Sequence, residues 1–564
     1  MTPEYKAEKE ASVSFLGGGG IWEINYVTVI APRGDVTDDF IEVAAFLWAL
    51  LQTRQSFFKP YSIPAAFTDF LLQCGTILFA TTVYAGAPQA LLGLLLLPGV
   101  AVFLQPRVEN KQTPRPPIHD RTNGKPKGSD DPDPNQELDP LPIKPYIMTY
   151  RGAMMIITCT SILAVDFKVF PRRFAKTESF GTSLMDLGVG SFVYAAGVIA
   201  ARQQLKAQSR GSTSVIEGLK TAMRHSLPLV VLGLIRLWSV KSLNYVEHVS
   251  EYGVHWNFFF TLALLAPVTA ILQPVLRRLP SYGALTFFIA CVYECVLYFT
   301  PDLKSYIILS GRKDGDWLSQ NREGVFSFIG YFAIFIAGMG TGLTILKRES
   351  GSGTTDEAKE ADLLNEDDEW LADVLGGSTQ NESTGADLNK PAEPKPNMNV
   401  PNPDPLGLIW IAQSNDDSVF LAKWTVIWFI LSGWAMWHYG PHLFVSRRMA
   451  NLAYIVWVCA FNTTQLLLFN VVERVMFPNI HKATDKRTER QRVQDATSRV
   501  MQAFNRNGLA LFLLANLLTG LINMTVKTLH MTDVQAMAIL LGYIATLCGV
   551  GLALDHYDIS IKIS

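Results

Sequence analysis

A polytopic bundle of membrane-spanning α-helices is the fold class this sequence predicts, and three observations predict it. Apolar runs of about 17–25 residues, the length that crosses a bilayer, recur along the 564 residues. Charged residues make up only 17%, against about a quarter in a typical soluble domain, and they gather in a few connecting stretches. The six cysteines, Cys74, Cys159, Cys291, Cys295, Cys459 and Cys548, all fall inside the apolar runs. A disulfide framework would place them in loops, so they read as small core residues.

In chain order the expected spans are Ala66–Ala85, Pro88–Gln105, Ile147–Val165, Leu184–Ala201, Leu227–Val240, Val254–Leu276, Gly283–Thr300, Val325–Leu346, Val419–Trp437, Ala450–Val472, Leu509–Val526 and Val534–Leu554. A further candidate in Ile21–Leu51 brings the total to about thirteen. Residues 31–39 interrupt it with one arginine and three aspartates. Each would cost roughly 2.5–3.5 kcal/mol at mid-membrane, so the second half, Phe40–Leu51 with its flanks, is the favoured span. The polar start, Met1–Gly20, has no apolar signal-peptide core.

The chain reads as one multi-pass domain, residues 1–564, interrupted by two polar linkers. Residues 106–144 are rich in Pro, Asp and Lys, and residues 348–405 are acidic and rich in Ser, Gly, Asn and Pro. Neither can bury enough apolar surface to offset chain entropy, so both should be largely disordered. Within the second, residues 370–375 could form one helical turn, and Asn381 opens a glycosylation sequon.

The near-zero net charge gives no reason to expect nucleic acid, and no Cys/His set completes a metal site. There is no Walker A loop, no HExxH, no GxSxG and no His-x4-Asp acyltransferase pair. Lys and Arg favour the loops that follow spans 1, 3, 5, 7 and 11, including Arg54, Lys59, Lys125, Arg202, Lys206, Arg277, Arg278, Lys486 and Arg487. That excess, roughly twofold, makes this side cytosolic. The N-terminus is then luminal and the C-terminus cytosolic.

Three basic groups break the bias. They are Lys168, Arg172, Arg173 and Lys176; Arg312, Lys313 and Arg322; and Arg447 with Arg448. Charge set against the topogenic bias wants an anionic partner, and an anionic ligand is the natural one. The first group belongs to a strip from Asp166 to Asp186 between two spans. Pro171 stops the preceding helix and turns the chain, which would let Lys176 approach Asp166. Ser183 and Asp186 sit where the next helix begins and equally read as caps. Arg172 and Arg173 equally read as interfacial anchors. A second polar group surrounds the sixth span, Leu227–Val240 when the interrupted candidate is counted first, and the loop after it: Arg236, Lys241, Tyr245, His248, His255 and Asn257. Arg236 lies in an apolar run and needs a carboxylate or phosphate. The histidines are general-base candidates, or simply hydrogen-bonding interface residues. Asp69, Glu294, Lys423, Glu473, Arg474, Asn516 and Asn523 are polar groups inside spans, where mutual pairing is the common outcome.

Residues 162–190, with Asp166-Phe, Phe-Pro-Arg-Arg-Phe-Ala-Lys-Thr-Glu and Gly-Thr-Ser-Leu-Met-Asp-Leu-Gly-Val-Gly, closely resemble the glucosaminyl-phosphatidylinositol inositol acyltransferases, the Gwt/PIG-W family of the endoplasmic reticulum. Similar matches lie at Gly19–Val27, Lys241–Phe260, Asn321–Tyr331, Asn505–Ala510 and Asn516–Gly520. The resemblance covers nearly the whole chain outside the linkers and departs from the family at Ala31–Glu42. It implies a membrane O-acyltransferase that moves a fatty acyl group, usually palmitoyl, from acyl-CoA to the inositol 2-hydroxyl of glucosaminyl-phosphatidylinositol during glycosylphosphatidylinositol (GPI) anchor synthesis. It implies acyl-CoA as co-substrate, no further cofactor, and membrane lipid as partner. Carried over residue by residue, the catalytic Asp and Lys fall on Asp166 and Lys176. Arg172, Arg173, Arg236, Lys241, Tyr245, His248, His255, Asn257 and Arg322 are the substrate-binding candidates. A lipid transporter or scramblase using the same charges as a path is the alternative class.

Overall fold

The computed structural model describes residues 3–14, 16–20, 40–104, 138, 141–209, 215–242, 251–348, 416–439, 445–482 and 486–561. The interruption at 31–39, nearly all of both linkers, the turn at 370–375 and the sequon lie outside these residues. Among the described residues all regular structure is helical. The only bridges join Gly18 and Gly19 to Thr182.

Five helices precede the strip. They are α1 (Pro3–Val13), α2 (Phe40–Gln55), α3 (Ile63–Thr81, with a π-turn at Leu71–Gly75), α4 (Pro88–Leu104) and α5 (Pro145–Ala164). Then follow α6 (Leu184–Ser209), α7 (Val215–Ser242), α8 (Phe258–Leu276), α9 (Tyr282–Phe299), the short α10 (Leu303–Ile308), α11 (Trp317–Ile345), α12 (Asp417–Tyr439) and α13 (Leu452–Met476). The chain ends with α14 (Lys486–Asp495), α15 (Arg499–Arg506), α16 (Gly508–Thr525) and α17 (Asp533–His556).

Among the described residues 10 helices are long and apolar enough to cross a membrane, fewer than the thirteen expected. The other three expected spans are helical but fall short. α2 has 16 residues and α4 has 17, while α7 has 28 but carries Glu217, Lys220, Arg224, Arg236 and Lys241. The favoured second half of the first candidate is helical, as α2. Several ends also move. α11 starts eight residues before the apolar run because Asp316 caps it, its carboxylate accepting from the Leu318 and Ser319 amides. Four cysteines are buried, but Cys295 is exposed on α9.

The core lies where α5, α6, α11 and α13 meet. Tyr194, Tyr331, Phe335 and Tyr454 are fully buried there. Charges pin the start of α5: Lys144 pairs with Asp417 at 2.5 Å, and Glu473 accepts the Tyr146 amide at 2.6 Å. A carboxylate at a helix N-terminus also meets the positive end of the helix dipole. Glu473, one of the polar groups inside the expected spans, is thus an internal partner.

α6 and α11 touch through glycine. A Cβ on Gly338 would lie 2.1 Å from the Tyr194 carbonyl oxygen, and one on Gly342 would lie 2.5 Å from that of Val198. Gly197 meets the Phe335 carbonyl at 2.1 Å in the same way. Small residues one turn apart let helix backbones approach closely where water supplies no driving force, and the Tyr194 and Thr341 hydroxyls share a hydrogen bond of 2.7 Å across the contact. Gly338→Leu must push these helices apart and should destabilise the protein by about 3 kcal/mol, the upper end for overpacking. A thermal-unfolding scan in detergent checks this. Gly433→Leu, whose site is open, should leave the midpoint unchanged.

Candidate active site

The 165–183 strip is held by aromatic pegs. Phe167, Phe170 and Phe174 are each fully buried, and Phe170 meets Phe174 edge-on with centroids 6.0 Å apart. Pro171 ends the turn after α5, and Arg172–Phe174 form one 3₁₀ turn. This anchoring fixes where the polar residues of the strip point.

Asp166 lies just past the end of α5 and is 7% exposed. Its Oδ1 pairs with Lys9 Nζ at 2.8 Å, and its Oδ2 accepts from Asn523 Nδ2 at 2.7 Å. Lys9 Nζ also donates to Asn523 Oδ1 at 2.8 Å, closing the triangle. Lys9 comes from α1, which is docked by contacts beyond the triangle. The Leu529 amide donates to the Tyr5 hydroxyl at 3.1 Å, and Glu8 meets His530 at 2.9 Å. Asn523 was one polar residue among several inside the spans. Lys9 carried no signal, because its partner is 157 residues away.

Lys176 does not pair with Asp166, contrary to the expected approach. Its Nζ meets Glu251 Oε1 at 2.7 Å, and its side chain is 39% exposed. The turn after Pro171 carries it toward the 251–257 segment instead. From there a chain of alternating charges runs inward. Glu251 accepts from Arg447 Nη1 at 3.1 Å, and Arg447 Nε meets Asp186 Oδ1 at 2.6 Å. The fully buried Asp186 also accepts from the Thr177 amide and hydroxyl, at 3.1 and 2.6 Å. Burial pushes the Glu251 carboxyl up, but Lys176 and Arg447 outweigh it, and Arg236 adds to them, leaving it at about 2. Arg236 therefore acts on a carboxylate. Ser183 accepts from the Asp186 amide at 3.0 Å, so its capping reading holds.

The remaining basic groups also find protein oxygens. Arg172 donates to the carbonyls of Val165 and Phe167 at the end of α5, at 2.6 and 3.4 Å. Burial lowers its pKa, partly offset by the charge of Asp166. Arg173 donates to the Ala85 carbonyl at 3.0 Å and lies over the Phe174 ring. Arg322 donates to the carbonyls of Ile307, Ser310 and Gly311. Arg312 and Arg448 converge on Glu323, at 2.8 and 2.9 Å, and Glu323 is fully buried. The anion that these positive charges required is, for Arg312, Arg447 and Arg448, a carboxylate of the chain itself.

Asn257 is the N-cap of α8: its Oδ1 accepts from the Phe259 and Phe260 amides and its Nδ2 donates to the Gly233 carbonyl. Its side chain is spent on structure. The His255 amide donates to Asn321 Oδ1 at 2.8 Å, and Gly253, at φ +134°, lies so close to Asn321 that a Cβ would sit 2.7 Å from its Cα. Tyr245, His248 and the side chain of Lys241 lie outside the described residues. Sequence reasoning passed over Lys9 and Glu251, and it ranked Asn523 and Arg447 without their partners.

A family model described as GWT1 matches residues 5–554. The chain is 45% identical over 571 residues to GPI-anchored wall transfer protein 1 of Gibberella zeae, covering 100% of this chain and 99% of the relative. It is 45% identical over 567 residues to the protein of that name from Aspergillus fumigatus, again covering 100% and 99%. The Saccharomyces cerevisiae protein of that name is 34% identical over 559 residues, covering 99% of each. On this end-to-end likeness, the chain belongs to the GWT1 family.

Proposed function

We propose that this chain transfers a fatty acyl group from acyl-CoA to the inositol 2-hydroxyl of glucosaminyl-phosphatidylinositol, and that the reaction occurs at the end of the bundle holding Asp166. The chain is an acyl-CoA-dependent acyltransferase of GPI-anchor synthesis. The observation that carries the site reading is the closed Lys9–Asp166–Asn523 triangle, which fixes one carboxylate at the mouth of an apolar bundle.

Asp166 is the base. It takes the proton of the inositol hydroxyl as that oxygen bonds to the thioester carbonyl carbon. The carbon–sulfur bond then breaks, and the thiolate of coenzyme A leaves and recovers the proton. General-base catalysis of this kind is worth about 10²–10⁴-fold. Lys9 and Asn523 are positioning residues: they hold the carboxylate in one orientation, and near-attack geometry depends on such constraint. The role of holding Asp166, open to Lys176 on sequence grounds, passes to Lys9. Lys176, partly exposed beside the same strip, is left to meet the developing oxyanion or a substrate phosphate.

The site faces the lumen of the endoplasmic reticulum. The Lys/Arg count supports this orientation. Lys9 touches Asn523 near the end of α16, while Asp558 pairs with Arg506 just before α16 begins, at 2.5 Å. The first and last described segments therefore sit at opposite ends of α16.

Purified protein in detergent should transfer labelled palmitoyl from its coenzyme A thioester to the glucosaminyl lipid with no sealed membrane, which a transporter or scramblase would not do. Asp166→Asn should lower kcat by about 10²-fold or more. If Asp166→Asn and Lys176→Ala both restore anchor synthesis in a null strain, the site assignment fails. Lys9→Ala should lower kcat by roughly tenfold with KM little changed, and Lys9→Arg should recover most of the loss; equal losses in both variants would contradict positioning by charge.

Stability and activity should separate along the charge chain. Arg447→Leu leaves the buried Asp186 without an opposite charge and should cost about 3–5 kcal/mol, whereas Lys176→Ala, at a partly exposed pair, should cost less than about 1 kcal/mol yet lose activity. Because the folded-state pKa of Glu251 is depressed to about 2, its stabilisation is complete above the ordinary value of 4.5 and fades as pH falls from there toward 2. Acid titration of the unfolding midpoint should show this loss in the parent and not in Glu251→Gln.

A further inference from the structure

A cavity of about 670 Å³ opens at the other end of the bundle. α16 separates it from Asp166. Asn523, near the end of that helix, holds the carboxylate, while Arg506, just before its start, lines the cavity. The 18 residues of α16 rise about 27 Å. No residue assigned above to acyl transfer lines it.

Basic side chains outnumber carboxylates in the lining. Lys59, Arg487, Arg490, Arg499 and Arg506 face three carboxylates, and each carboxylate is already engaged. Asp69 accepts from the Ser498 hydroxyl at 2.7 Å, the Tyr61 hydroxyl at 3.1 Å and the Val500 amide at 3.4 Å. Asp495 pairs with Lys59, and Asp555 with Arg506. Arg499 lies over the Tyr61 ring, 4.8 Å from its centroid.

Two further features point at a ligand. Arg487, Arg490, Gln491 and Gln494 of α14 all line the cavity, and their i, i+3, i+4, i+7 spacing is one helical face. Glu489 and Val493 are buried on another. A polar face is thus turned to the cavity. Trp48 also lines it, stacked on Phe58 with centroids 5.1 Å apart. The side chain is 6% exposed, and its indole N–H is buried with no acceptor among the described residues. A donor left so costs about 1–3 kcal/mol.

We propose that this cavity binds a phosphate ester, gripped by the guanidinium groups of Arg487 and Arg490, with the Trp48 indole N–H as a further donor. Planar guanidinium forks match phosphate oxygens, and the volume falls within the range of about 300–1,000 Å³ typical of small-molecule sites. The ester is either the headgroup of an anionic phospholipid or the nucleotide end of a coenzyme A molecule. The site is separate from the acyl-transfer reading and stands if that reading fails.

The test uses the full chain purified in detergent, with phosphatidylinositol and desulfo-coenzyme A as separate probes. Binding is followed by native mass spectrometry and by the shift in unfolding midpoint. Arg487→Gln/Arg490→Gln should weaken binding of one probe by at least about tenfold, the loss expected from charged hydrogen bonds, and should leave acyl transfer within about twofold of the parent. Gln494→Trp, which fills the cavity without changing charge, should do the same, and raised salt should weaken the parent's binding. Loss confined to phosphatidylinositol assigns a lipid headgroup, and loss confined to desulfo-coenzyme A assigns the nucleotide. Undiminished binding of both probes in both variants overturns the proposal, as does parent protein that binds neither.

Discussion

A charge buried in an apolar helical bundle must meet an opposite charge, and the end of this bundle that holds Asp166 is organised by that constraint. Three carboxylate centres gather the cations around them: Asp166, the Glu251–Asp186 pair and Glu323. Removing an ion from water costs several kcal/mol even after relaxation, and only close pairing with further hydrogen bonds offsets it. Each centre draws on elements distant in sequence. Asp166 joins α1, the end of α5 and α16. Asp186 joins α6 to the segment before α13. Glu323 joins α11 to the same segment through Arg448. The ion pairs therefore act as clamps that set which helices meet at this end.

The same constraint separates charges committed inside the bundle from those that remain partly solvated. Arg322 and Arg448 are each below 10% exposed and are committed to protein oxygens. Lys176 is not buried in this way, although it belongs to the same chain of charges. A cation with one weakly held, partly solvated partner can exchange it for an incoming anion at small cost. The buried arginines behind it cannot. The arrangement resembles a graded series, with rigid pairs inside and an adaptable lysine at the opening.

α1 gives the site a second kind of order. A polar segment of 11 residues would be marginal as an isolated helix. Here it is held by Tyr5, Glu8 and Lys9 against the 523–530 region and Asp166. Its folding is thus tied to the completion of the last spans. The carboxylate proposed as base acquires its fixed geometry only when the two ends of the chain have come together.

The sequence by itself determined the class of the fold and most of its spans, because span length and apolarity are local properties that bilayer thickness makes decisive. It also marked three basic groups as needing partners, since charge in an apolar setting is costly whatever its neighbours; carboxylates met Arg312, Arg447 and Arg448, and backbone carbonyls met Arg172, Arg173 and Arg322. The assignment of Asp166 and Lys176 to the reaction comes from the long resemblance of residues 162–190 and stands as a proposal. The pairing came from the packing of distant elements. A lysine at position 9 and an asparagine at 523 carry no mark of meeting at 166, because partner choice depends on which helix ends share one face of the bundle. The glycine contact of α6 with α11, the capping duty of Asn257 and the engagement of the arginines by Glu323 were settled the same way. Local pattern states that a charge needs a partner; packing of distant elements decides which one it has.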